Sequence, residues 1–162
     1  MPTVSNTSPL LNLAIIGKLE LVMRQFGRVL VPPAVEEEFR LEEGRQGSSA
    51  LREAMEEGWL ATEAPSDEPL IRTLRQDLDR GESEAIALAA EKKAGHVLLD
   101  EREGRRRARR IGLEVTGALG ILARADREGE LDSLPQALDR LEEEAGFWIS
   151  SALREQILGG PE

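Results

Sequence analysis

Residues 79–101 read DRGESEAIALAAEKKAGHVLLDE, and this stretch decides the fold. Asp79-Arg80-Gly81-Glu82 has the Asp-x-x-Glu spacing of a capping box, in which first-turn side chains satisfy backbone N–H groups that lack partners inside the helix. The spacing predicts a helix from Ser83 to Ala94, rich in alanine. Gly95 then stands where a residue of positive φ closes the last turn. His96-Val97-Leu98-Leu99 is an apolar run of the kind found in parallel strands covered on both faces. Asp100-Glu101 ends it. A helix feeding directly into a buried strand is half of a βαβ unit.

The same alternation continues in both directions. Thr3-Val4-Ser5 is a β-prone stretch that runs into Asn6-Thr7-Ser8-Pro9 and a leucine-rich helix. Ser8 reads as its N-cap and Pro9 as its first helical residue. Arg28-Val29-Leu30-Val31 is a second strand, ended by Pro32-Pro33. Helical patterns follow at Ala34–Leu41, Gln46–Glu57 and Asp67–Leu78. Beyond Asp100 come a helix at Arg105–Ile111, a strand at Leu113–Val115, and helices at Ala118–Glu128 and Leu134–Glu144. Phe147-Trp148-Ile149-Ser150 reads as a last short strand before a terminal helix. Strands separated by helices of this size predict an α/β fold, a central parallel sheet flanked by helices, in one domain over residues 1–162. In such sheets ligands bind at the carboxyl ends of the strands.

Composition removes several chemistries. The 162 residues contain no cysteine and one histidine, His96, and the net charge is −10. Disulfides and thiol chemistry are excluded, as is a zinc site built from several nitrogen and sulfur ligands. There is no G-x-S-x-G and no phosphate-binding glycine loop. No apolar run reaches the length of a membrane span, no basic-then-apolar leader opens the chain, and a reducing cytoplasm is the expected location. Any catalysis must rest on carboxylates, which suit hard cations such as Mg²⁺ or Mn²⁺.

The polar residues at predicted strand ends are Asn6, Glu36 to Glu38, Glu82, Glu84, Asp100 and Glu101. Grouped carboxylates repel one another, and a divalent cation that activates water beside a phosphate is their natural partner. Each also has a plainer meaning. Glu36 to Glu38 fit a solvated helix face, Glu82 fits a cap, Glu84 fits the positive end of a helix dipole, and Asn6 fits a turn. His96, at the start of a strand, reads as structural, and Trp59 and Trp148 read as packing residues.

The segments VSNTSPLLNLAIIGKLELV, VLVPPAVEEEF, DRGESEAIALAAEKKAGHVLLDEREGRRRARRIGLEVTGALGIL and AGFWIS, in this order and spacing, resemble the PIN-domain superfamily, and more narrowly its DUF3368, VapC-like branch of small toxin-type proteins. The resemblance implies an acidic pocket that holds Mg²⁺ or Mn²⁺ and hydrolyses RNA, pairing with a small antitoxin protein, and a homodimer. By position it places the metal-binding and catalytic set on Asn6, Glu38, Glu84 and Asp100, with Glu101 as an accessory ligand and Thr7 or Ser8 as the small hydroxyl residue beside the first. Asn6 departs from the pattern, because the family carries an acid there. Asn keeps a carbonyl oxygen that can ligate a cation but lacks the charge. The alternative is therefore a catalytically weakened scaffold that binds or regulates. Arg102, Arg105, Arg106 and Arg109 follow the acidic pair and are the candidate RNA-binding residues, since guanidinium grips phosphate bidentately. A solvated helix face is the other meaning of that run.

Overall fold

A computed structural model describes residues 1–159. Its sheet has five parallel strands in the order β3-β2-β1-β4-β5. They are β1 (Thr3–Ser5), β2 (Val29–Val31), β3 (Leu60–Thr62), β4 (His96–Leu98) and β5 (Val115–Thr116). Ser5 pairs with Leu98 across the β1–β4 ladder, and Thr3 pairs with Val29 on the other side. The chain moves outward from β1 to β2 and β3, then crosses back to add β4 and β5. The reversal between β1 and β4 is the topological switch point, where such sheets bind ligands.

Ten helices cover the sheet among the described residues: α1 (Thr7–Ile15), α2 (Glu20–Phe26), α3 (Pro33–Leu41), α4 (Ser48–Glu57), α5 (Glu68–Leu74), α6 (Arg80–Lys92), α7 (Arg102–Ile111), α8 (Ala118–Arg127), α9 (Leu134–Glu144) and α10 (Ser151–Gly159). Alternate strand residues serve two cores. Val29, Val31 and Leu98 point into the larger one, built with leucines of α1, α4, α8 and α9. Val4, Leu30 and Val97 point into the other, under the apolar face of α6. Both faces of the sheet are therefore dry at its centre, which is why β2 and the end of β4 carry apolar residues at successive positions. None of the described helices is long and apolar enough to cross a membrane.

Several local expectations change. The first helix begins at Thr7, with Asn6 rather than Ser8 at the N-cap position, so Pro9 lies inside the first turn. The helix over α6 ends at Lys93, which itself takes the left-handed conformation (φ 52°), so Gly95 is free of that role. Leu60–Thr62, unmarked in the sequence, pairs with β2 as an edge strand. Phe147–Ser150 forms no strand. Trp59 packs partly buried against the larger core as expected, but Trp148 is 80% exposed.

Candidate metal and phosphate site

Asn6 carries β1 into α1. Its N–H donates to Leu98 C=O at 3.0 Å, which extends the β1–β4 ladder by one rung. Its side chain, at the N-cap position, makes no capping hydrogen bond. Asn6 is 4% exposed, and its Oδ1 is buried without a hydrogen-bond partner. A buried orphaned carbonyl oxygen costs roughly 1–3 kcal/mol, so it calls for an explanation.

What surrounds that oxygen is acidic. Thr7 Oγ1 donates a hydrogen bond to Glu38 Oε1, which fixes the carboxylate of α3 next to the β1–α1 junction. Gly81 of α6 closes the third side. A Cβ on residue 81 would stand 2.9 Å from Asn6 Oδ1 and 3.4 Å from Glu38 Oε1, so only glycine leaves these two side chains where they are. Asn6 and Glu38 therefore share one small space.

The next residue supplies the third group. Asp79 caps α6 by accepting from the Glu82 N–H at 2.8 Å. This holds the first turn so that Glu82 points inward, where it is 5% exposed and its Oε2 has no hydrogen-bond partner. Gly104 of α7 packs over it, at a separation that would leave a Cβ only 2.9 Å from Glu82 Oε2. Burial raises the Glu82 carboxyl to about 7, and repulsion from Asp79, Glu101 and Glu38 adds to the shift. Glu82 thus lies in the field of two carboxylates that the resemblance assigns to the metal set. The sequence reads it as a cap, but the capping side chain is that of Asp79 alone.

Glu84 faces elsewhere. Its Oε1 accepts from Ala34 N–H at 3.2 Å, and its Oε2 accepts from Arg80 Nε at 2.9 Å. Arg80 also bridges to Glu37 at 3.0 Å. Glu84 ties α6 to the start of α3 instead of joining Asn6 and Glu38.

Asp100 ends β4 at the switch point, but both its oxygens are engaged. Oδ1 accepts from the Ala118 N–H at 2.8 Å, satisfying a first-turn donor of α8, and Oδ2 accepts from Asn12 Nδ2 at 3.2 Å. Burial pushes its carboxyl above the ordinary range, against the pull of those two donors and of Arg105. Asp100 and Glu101 share a cleft with Ser8 and Asn12. Thr7 and Ser8 are therefore divided, Thr7 bound to Glu38 and Ser8 beside Asp100. Glu101, exposed at the N-cap position of α7, is the acid of the pair that acts on Glu82.

Arg102, Arg105, Arg106 and Arg109 line one cleft together with Arg110. Arg105 Nη1 donates to Leu99 C=O at 2.9 Å, which anchors the base of the cluster at the end of β4. Burial and the neighbouring Arg109 lower its pKa. Arg107 belongs to a separate ion pair with Asp77.

Among the described residues, no group of His, Cys, Asp and Glu side chains is already drawn together as a metal-binding cluster. The donors nonetheless fit a hard cation. All are oxygens, and two of them, Asn6 Oδ1 and Glu82 Oε2, are buried without a hydrogen-bond partner. Oxygen-only sets of this kind suit Mg²⁺ or Mn²⁺.

No curated protein matches the chain. A family model described as DUF3368: PIN domain matches residues 2–160. Its span takes in every residue of the arrangement above, and its fold class is that of the five-stranded parallel sheet. The chain belongs to the DUF3368 family of PIN domains.

Proposed function

We propose that this chain is a metal-dependent endoribonuclease of PIN type, the toxin member of a cytoplasmic toxin–antitoxin pair. PIN domains are a nuclease family and generally depend on divalent metal. The observation that carries the reading to this chain is the pair of orphaned buried oxygens, Asn6 Oδ1 in the space it shares with Glu38 and Glu82 Oε2 under Gly104 of α7. Asn6, Glu38, Glu82 and Glu101 would hold Mg²⁺ or Mn²⁺, with Asp100 positioning the end of β4 against α8. The bound cation supplies an acidified water and charge compensation on the phosphate. The protein's own part is orientation. Thr7 holds Glu38, Asp79 holds the turn that aims Glu82, and Gly81 and Gly104 leave room for the carboxylates. Arg102, Arg105, Arg106 and Arg109 supply the positive charge that draws an RNA backbone toward an acidic site. An antitoxin protein and a second copy of the chain are the proposed partners.

Asn6 favours one second reading. A neutral amide where the family has an acid weakens the attraction for a cation, and a PIN scaffold that binds RNA without cutting it follows from that. Incubation of mixed-sequence RNA with the purified chain separates the two. Cleavage in Mn²⁺ that stops in EDTA and in Glu38→Gln supports the nuclease. RNA binding without cleavage establishes the scaffold. Cleavage that persists in EDTA contradicts both.

A further inference from the structure

Trp148 has no packing role that accounts for it. The residue is 80% exposed, in a segment that forms neither strand nor helix. It stands where two clefts meet. One contains Ser8, Asn12, Asp100 and Glu101. The other holds about 850 Å³ and contains Arg102, Arg105, Arg124 and Arg127. Trp148 and Asp100 border both. The indole thus adjoins the acidic strand ends on one side and, on the other, a cleft lined by four arginines together with apolar side chains such as Phe26, Leu119 and Phe147.

The charge of that cleft and its apolar lining together point to its occupant. Four arginines face a single carboxylate, Asp100, in a chain whose net charge is −10. Arg124 is paired with Glu128, but among the described residues no ion pair engages Arg102, Arg105 or Arg127. A polyanion that also presents flat apolar faces meets both features at once. Single-stranded nucleic acid is such a ligand, because its phosphates follow the arginines while its bases stack on an exposed ring.

We propose that the Trp148 indole is a stacking platform for an unpaired RNA base, seated beside the strand-end carboxylates while the flanking phosphates run along Arg102 and Arg105. The proposal rests on the nuclease reading for the nature of the strand. Its test is run without metal so that the two fail separately. Because the ring is exposed, Trp148→Ala leaves the fold intact, and Trp148→Phe keeps a smaller stacking face.

The full chain, with Trp59→Phe so that Trp148 alone emits, is titrated in EDTA with a short unstructured RNA and with an abasic strand carrying the same phosphates. The base-bearing strand quenches Trp148 emission. Trp148→Ala loses roughly tenfold or more in affinity for that strand and nothing for the abasic one. Trp148→Phe retains most of the affinity, and the salt slope is the same in all three proteins because stacking releases no counterions. Equal affinity of wild type and Trp148→Ala for the base-bearing strand overturns the proposal. So does quenching by the abasic strand alone. A dimer in sedimentation that Trp148→Ala dissociates, with no quenching by RNA, assigns the ring to a second copy and also overturns it. Mn²⁺-dependent cleavage without base-dependent binding removes the platform and leaves the nuclease. Base-dependent binding without cleavage does the reverse.

Discussion

Gly81→Ala separates the fold from the site. The introduced Cβ would lie 2.9 Å from Asn6 Oδ1 and 3.4 and 3.6 Å from the two Glu38 oxygens. Carbon–oxygen contacts settle at about 3.5 Å, so the Asn6 amide must retreat by about half an ångström, with a smaller adjustment at Glu38. Both are ends of side chains, which rotate at little cost. Gly81 lies in α6 without a positive φ, so alanine gains about 0.5–1 kcal/mol of helix propensity there. The two effects on stability nearly cancel or leave a small gain, equivalent to a rise in Tm of at most about 2–4 °C. The effect on the cation is one-sided. Two of its proposed ligands move, and disturbed ligand placement costs about 10–100-fold in metal affinity. Thermal melts and calorimetric titration with Mn²⁺ on the same samples read both quantities. An unchanged Mn²⁺ affinity would refute the placement of Asn6 and Glu38 at one cation. A large loss of stability would refute the claim that only side-chain ends are in the way.

Asp100→Ala strips the acceptor from the Ala118 N–H and from Asn12, so it should cost about 1–3 kcal/mol in thermal unfolding, whereas an unaltered melt would mean that Asp100 serves the cation alone. Glu82 carries a pH signature. Its raised pKa means that the folded state holds the proton more tightly than the unfolded one, so the metal-free protein loses stability as pH rises from the ordinary value of 4.5 to about 7. The loss is on the order of 1–3 kcal/mol and should vanish in Glu82→Gln, so parallel wild-type and variant pH profiles would contradict it. Asn6→Asp adds a charge beside Glu38, which should destabilise the metal-free fold slightly while tightening Mn²⁺ and raising cleavage. Equal affinities by titration would show that the amide already suffices.

Two of the central strands are legible because burial on both faces leaves an unmistakable apolar run, as in Val29–Val31 and Val97–Leu99. Asn6 stands out in the sequence by its position after β1, whereas only the family resemblance separates Glu38 from Glu36 and Glu37. Glu82 is not legible. Glu82 and Glu84 lie in the same helical turn, separated by about 200° around the axis, so one faces the site and the other faces α3. Pattern alone does not choose between them, and the capping box gave Glu82 an occupation that Asp79 fulfils without it. Asp100 follows a strand in the sequence pattern as in the structure, but its bonds to Ala118 and Asn12 depend on how α8 and α1 pack, which has no local signature. Phe147–Ser150 had the composition of a strand. Strands need a neighbour to pair with, and that is a tertiary property. The exposure of Trp148 was hidden for the same reason.

The central claim is that Asn6, Glu38, Glu82 and Glu101 hold one divalent cation, and that Glu84 does not. Calorimetric titration of the purified chain with Mn²⁺, comparing wild type with Glu82→Gln and Glu84→Gln, tests it most directly. The account predicts one site in wild type, its loss or a weakening of about 10-fold or more in Glu82→Gln, and near-wild-type affinity in Glu84→Gln. Full affinity in Glu82→Gln together with loss in Glu84→Gln would contradict it.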